Sequence, residues 1–101
     1  MIRINTYERI ENSMNLIELH LLVDDGIEYT YQNEHVVINP MQISKITTLP
    51  ESDLNEESKN ALKKEEPFVA SNTVLSPSEI KMIDGDLIPV AESMSYIMAL
   101  I

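Results

Sequence analysis

The sequence has no cysteine and no tryptophan, only two glycines and one phenylalanine, and seven basic residues against seventeen acidic ones. The missing cysteine excludes disulfides, thiol nucleophiles and zinc–thiolate centres. Small secreted domains usually depend on such cross-links, so their absence points to a reducing cytoplasm. With Gly26 and Gly85 far apart, no glycine-rich loop can cradle a phosphate. The few cations form no basic stripe and no aromatic platform accompanies them, which argues against direct nucleic-acid binding. The longest apolar run, Leu19 to Val23, is interrupted by His20 and is far too short to span a bilayer. Met1-Ile2-Arg3-Ile4-Asn5 alternates like a short strand and does not resemble the apolar stretch of a signal peptide. No membrane contact is expected.

What remains is enough for one domain spanning residues 1–101. Apolar residues make up 44% of the chain, an ordinary globular content. With so few aromatics, the core must rest on Ile, Leu and Val, with six Met as adaptable filler. The formal net charge of -10 is spread along the chain, -4 over residues 1–50 and -6 over 51–101. Its first consequence is repulsion from phosphate.

Ile10, Met14, Ile17 and Leu21 match helical spacing, but Ile17, Leu19, Leu21 and Val23 also alternate. Asp25-Gly26 between two alternating runs is a strong hairpin signal, which favours strands at about 16–24 and 27–32. Asn33-Glu34 reads as a second turn, followed by a β-branched strand, His35 to Asn39, that Pro40 ends. A further strand is expected at about 43–48. Residues 50–67 are acidic and poor in apolar groups, and read as an exposed insertion, either a short solvated helix or a loop. Phe68-Val69-Ala70 and Thr73-Val74-Leu75 suggest strand or edge segments. Asp84-Gly85-Asp86 bends a second hairpin, and Pro89 places its returning strand at a sheet edge. Ser93 caps a C-terminal amphipathic helix with the stripe Met94, Ile97, Met98 and Ile101. The predicted fold is α+β: a small, mainly antiparallel sheet of hairpins with a C-terminal helix and an acidic insertion.

Two segments carry a family likeness. One is Ile38-Asn39-Pro40 followed by Ile43 and Ile46; the other is Ile80, Met82, Asp84-Gly85, Ile88, Val90, Glu92-Ser93 and Ile97. Together they resemble the short FlbD/SwrD-like bacterial flagellar proteins and similar small phage reading frames. Against that pattern, this chain has an N-terminal extension through Gln32 and an insertion at 50–75. The resemblance implies a small accessory module of a bacterial or phage-infected cell, with no active site of its own.

No catalytic constellation stands out. Asp84-Gly85-Asp86 and Asp24-Asp25-Gly26 lack the ligand spacing of a calcium loop. No serine lies on a nucleophile elbow. His20 and His35 could approach each other across a hairpin, with Asp24 or Glu34 nearby, and hold a metal. Without a ligand-spacing motif, the simpler expectation is that both lie on solvated strand faces, so no metal or cofactor is assigned. Two surfaces are the candidates for partner binding. The first is the acidic row Glu51, Asp53, Glu56, Glu57, Glu65 and Glu66. The second is the helical stripe of Met94, Ile97, Met98 and Ile101, which ends the sequence on apolar residues. The reading is a non-enzymatic module that docks an unidentified protein through a sheet edge or helix face, and a homo-oligomer is possible. One alternative is an acidic inhibitor that mimics nucleic acid and blocks a host enzyme. Another is a small structural subunit of a virion or motility complex.

Overall fold

The alternating run after Leu16 is a strand, not a helix. The computed structural model describes residues 16–69 and 75–101. In it β1, Ile17–Asp24, pairs antiparallel with β2, Tyr29–Ile38. The connecting turn is held by its own carboxylates. Asp24 accepts from the Gly26 N–H, and Asp25 accepts from Ile27 and Glu28. Gly26 sits at φ +92°, a conformation that favours glycine.

A 3-10 turn, Pro40–Gln42, leads into β3, Ile43–Thr48, and the Asn39 side chain accepts from the Met41 N–H. A second 3-10 turn, Glu51–Asp53, precedes α1, Glu56–Leu62. The chain then forms β4, Ser78–Met82, and β5, Leu87–Val90, joined through Gly85 at φ +98°. It closes with α2, Met94–Leu100, whose Ser93 side chain accepts from the Tyr96 N–H as an N-cap. The five strands make one antiparallel sheet in the order β2-β1-β5-β4-β3. The fold is therefore α+β with a mainly antiparallel sheet.

Strand alternation splits the apolar side chains between two layers. Ile17, Leu19, Ile38, Ile80 and Val90 pack with Ile97 of α2. Leu22, Tyr31, Leu54, Leu62, Phe68 and Leu75 form the other cluster. Burying a side chain such as Leu62 or Ile97 stabilises by about 1.5–3 kcal/mol each.

Several sequence expectations change. Asn33-Glu34 does not end a strand. His20 faces His35 while Leu22 faces Tyr31, so Gln32, Asn33 and Glu34 stand opposite Leu21 alone as a bulge in one long β2. Asn33 takes the left-handed conformation there, at φ 61°. The acidic segment is not an exposed insertion, because Leu54, Ser58 and Leu62 are buried and tie it to the sheet. Tyr31 N–H donates to Ser58 Oγ, and Asn55 N–H to the Tyr29 carbonyl. Pro89 does not mark an edge: β5 lies between β1 and β4. It is tolerated because registered pairing with β1 occurs one residue later, at Leu21 and Val90. Phe68 and Val69 lie in a turn and not a strand. The expected strand at residues 1–5, the helical alternative before residue 16 and the segment 70–74 lie outside the described residues.

Candidate functional site

The structure separates the acidic row into three environments. Glu51 and Asp53 are half-buried in the 3-10 turn before α1. Lys59 Nζ lies 2.9 Å from Glu56 and 3.8 Å from Glu51, which neutralises part of the row. This ammonium holds the Glu56 carboxyl below its ordinary range. Glu57 and Glu66 are exposed. Glu65 turns away from the row altogether and joins a polar cluster against the sheet.

The helical stripe is divided as well. Ile97 is 0% exposed and belongs to the core. Met94, Met98 and Ile101 do face solvent, Met98 at 57% and Ile101 at 61%. Tyr96 and Leu100 are exposed as well. The helix thus leaves large apolar groups exposed on the same stripe as its one buried anchor, Ile97.

The most ordered polar arrangement is built on the histidine pair that the sequence offers only as the lesser of two readings. His20 stands in the middle of β1, only 6% exposed, and not on a solvated face. Its Nδ1 lies 2.7 Å from Glu92 Oε2, and its backbone N–H donates to both oxygens of the same carboxylate at 3.0 and 3.2 Å. Glu92, just after β5, is 1% exposed. Ala91 N–H donates to the His20 carbonyl and Ser78 Oγ to the Glu92 carbonyl, which fixes this junction from both sides. A buried carboxylate needs such donors, and here the neighbouring strand supplies them.

The other edge of the His20 ring meets the segment after α1. Nε2 lies 3.1 Å from Glu65 Oε1, while Tyr31 Oη donates to Glu65 at 2.9 and 3.0 Å. Burial, and then the hydrogen bond to Glu65, push the Tyr31 phenol up to about 12. The ring of His35, opposite His20 in the β1–β2 ladder, has its centroid 4.4 Å from that of His20. Its Nδ1 is 2.6 Å from Glu18 Oε2, and this hydrogen bond raises the imidazole above its ordinary value. His35 Nε2 lies 3.9 Å from Glu65 Oε1. Phe68 packs edge-on to His20 at 5.2 Å and dries one side of the cluster. The other side opens into a cleft of about 340 Å³ lined by His20, His35, Glu66, Pro67, Glu92 and Tyr96.

The cross-strand approach of the two histidines is the part that the hairpin signal foreshadows. Glu65, Glu92 and Tyr31 had no local signal, since each reaches the site only through tertiary packing. Asp24 and Glu34, the carboxylates expected beside the histidines, are not in the cluster; Glu18, Glu65 and Glu92 take those places.

No known family model matches the chain, and no curated protein or solved structure matches it. Among the described residues, no helix is long and apolar enough to cross a membrane.

Proposed function

We propose that this chain is a non-enzymatic protein-binding module that docks through the solvent-facing side of α2. The observation that carries the reading is the division of that helix: Ile97 anchors it to the sheet, leaving Met94, Met98 and Ile101 free for a partner. Unbranched methionines adapt to an apolar surface, and a run of exposed apolar groups is a common mark of an interaction site. A net charge of -10 favours a partner whose apolar patch is rimmed by basic groups, and disfavours a second copy of the same chain. The resemblance of the β4–β5 hairpin and Ser-capped helix to FlbD/SwrD-like proteins fits an accessory role in a bacterial or phage-infected cell.

The acidic inhibitor is the weaker alternative. Lys59 screens Glu51 and Glu56, and Glu65 is engaged with His20 and Tyr31, so the row offers less free negative charge than its sequence promises. The test compares the wild-type chain with Met98→Glu and with a Glu57→Lys/Glu66→Lys variant in capture from a bacterial lysate. Loss of a reproducible partner in Met98→Glu alone supports docking through α2. Loss only in the charge-reversed variant transfers the function to the acidic surface. Sedimentation velocity on the same samples distinguishes a foreign partner from self-association.

A further inference from the structure

We propose that His20, His35 and Glu65 form a binding site for a divalent transition metal of the zinc or cobalt class. One ligand atom from each lies within 4.8 Å of the other two. Three ligands around a tetrahedral zinc ion, with bonds of about 2.0–2.1 Å, stand roughly 3.3 Å apart. The 3.1 Å separation of His20 Nε2 from Glu65 Oε1 already meets that requirement, and His35 Nε2, at 3.9 Å from the same oxygen, needs a small inward shift. His35 is exposed, so its side chain has room to make it.

The case rests on more than proximity. Metal-bound histidines characteristically donate their second ring N–H to a carboxylate, which sets the tautomer and aims the free nitrogen at the ion. Both histidines here have that partner: Glu92 at Nδ1 of His20 and Glu18 at Nδ1 of His35. Each arrangement leaves Nε2 directed toward Glu65. The Glu65 carboxylate is in turn held by the Tyr31 hydroxyl. All three ligands are thus oriented by a separate hydrogen bond from outside the set.

The electrostatics also ask for a cation. With Nδ1–H committed to Glu92, His20 Nε2 meets Glu65 Oε1 as one lone pair against another unless a proton or a metal ion lies between them. Glu18, Glu65, Glu66 and Glu92 surround the two imidazoles, and no lysine or arginine lines the cleft among the described residues. Nitrogen donors select zinc, cobalt or nickel over magnesium and calcium, which prefer all-oxygen shells. The cleft lined by both histidines and by Glu66 gives an ion and its water a route to the three ligands. A metal held there would cross-link β1, β2 and the segment that follows α1.

The test is titration of the 101-residue chain with Co²⁺ and Zn²⁺, followed by the visible ligand-field bands of tetrahedral cobalt and by calorimetry, with Mg²⁺ as the competitor. One equivalent of Co²⁺ should give those bands, Zn²⁺ should abolish them, and millimolar-range Mg²⁺ should leave them unchanged. His35→Ala and Glu65→Gln, checked by circular dichroism for a native fold, should each weaken Zn²⁺ binding tenfold or more. Glu18→Gln should have a smaller effect in the same direction, because it touches a ligand and not the ion. His20→Ala is the least informative variant, since its ring fills a buried site. Binding with neither stoichiometry nor cobalt bands would overturn the proposal. So would Zn²⁺ affinity that is unaltered in both His35→Ala and Glu65→Gln, which would assign the binding to surface carboxylates.

Discussion

Glu92 carries an unusual share of the molecule's order. Its carboxylate answers a strand N–H and an imidazole at once, in a place with almost no access to water. Replacing it by leucine leaves the His20 backbone and ring donors unpaired in the interior. Removing one side of such a buried polar pair typically costs about 3–5 kcal/mol. Glu92→Leu should therefore lower stability by about that amount in urea unfolding, whereas Glu92→Gln, which keeps an acceptor, should lose less. Asp25 gives a prediction of opposite character, because it is exposed. The Glu28 N–H, and then the Ile27 N–H, hold its carboxyl below the ordinary value. A carboxyl with a depressed folded-state pKa stabilises the fold above its unfolded pKa, and this stabilisation fades as pH falls through the folded value. The wild-type advantage over Asp25→Asn should thus be present at neutral pH and shrink below about pH 3–4. A difference in urea midpoint that stays constant over that interval would contradict the turn geometry as its cause.

At the scale of elements, α2 and α1 each make a prediction that divides their faces. Ile97→Ala should cost about 2–5 kcal/mol, because it opens a cavity under α2. Met98→Ala, one residue further on, should change stability by less than about 0.5–1 kcal/mol. Leu62→Ala should be as costly as Ile97→Ala if residues 50–67 are part of the fold, and nearly neutral if they form a loose insertion; thermal and urea unfolding decide between them. Much of this architecture was legible from local pattern. Asp25-Gly26 and Gly85 fixed the hairpin bends, and Ser93 the start of α2, because turn and cap chemistry acts over a few residues. What was not legible depended on distant contacts. Leu54 and Leu62 look sparse among charges, yet two buried leucines and one serine suffice to dock a short helix. Asn33 reads as a turn residue, but the left-handed backbone it favours serves equally well in a bulge. Pro89 suggests an edge only if every position of a strand is paired on both sides. His20 and His35 were legible as neighbours across a hairpin, but not the burial of His20 by Glu65 and Glu92, which lie 45 and 72 residues beyond it.

For the whole molecule, the distribution of charge and apolar surface separates two kinds of recognition. The acidic residues are dispersed and partly paired; exposed apolar groups such as Ile27, Met41 and Ile83 stand in separate turns, while Met94, Tyr96, Met98, Leu100 and Ile101 follow one another along α2 and its C-cap. Long-range charge would then steer a basic-rimmed partner toward the module and contribute mainly to the rate of association. The lasting contact would come from burying Met94, Met98 and Ile101. The polar cluster lies under the opposite layer, beside Phe68 and Tyr31, but its cleft reaches Tyr96 of α2. The direct measurement is the dissociation constant and dissociation rate of the captured partner across a salt series, for the wild-type chain and for Met98→Glu. Docking through α2 predicts a dissociation rate that changes by less than about threefold between about 0.05 and 0.5 M salt, any salt dependence of the constant entering through the association rate, while Met98→Glu weakens the constant tenfold or more at every point. A steep loss of affinity with salt, unaffected by Met98→Glu, would contradict it.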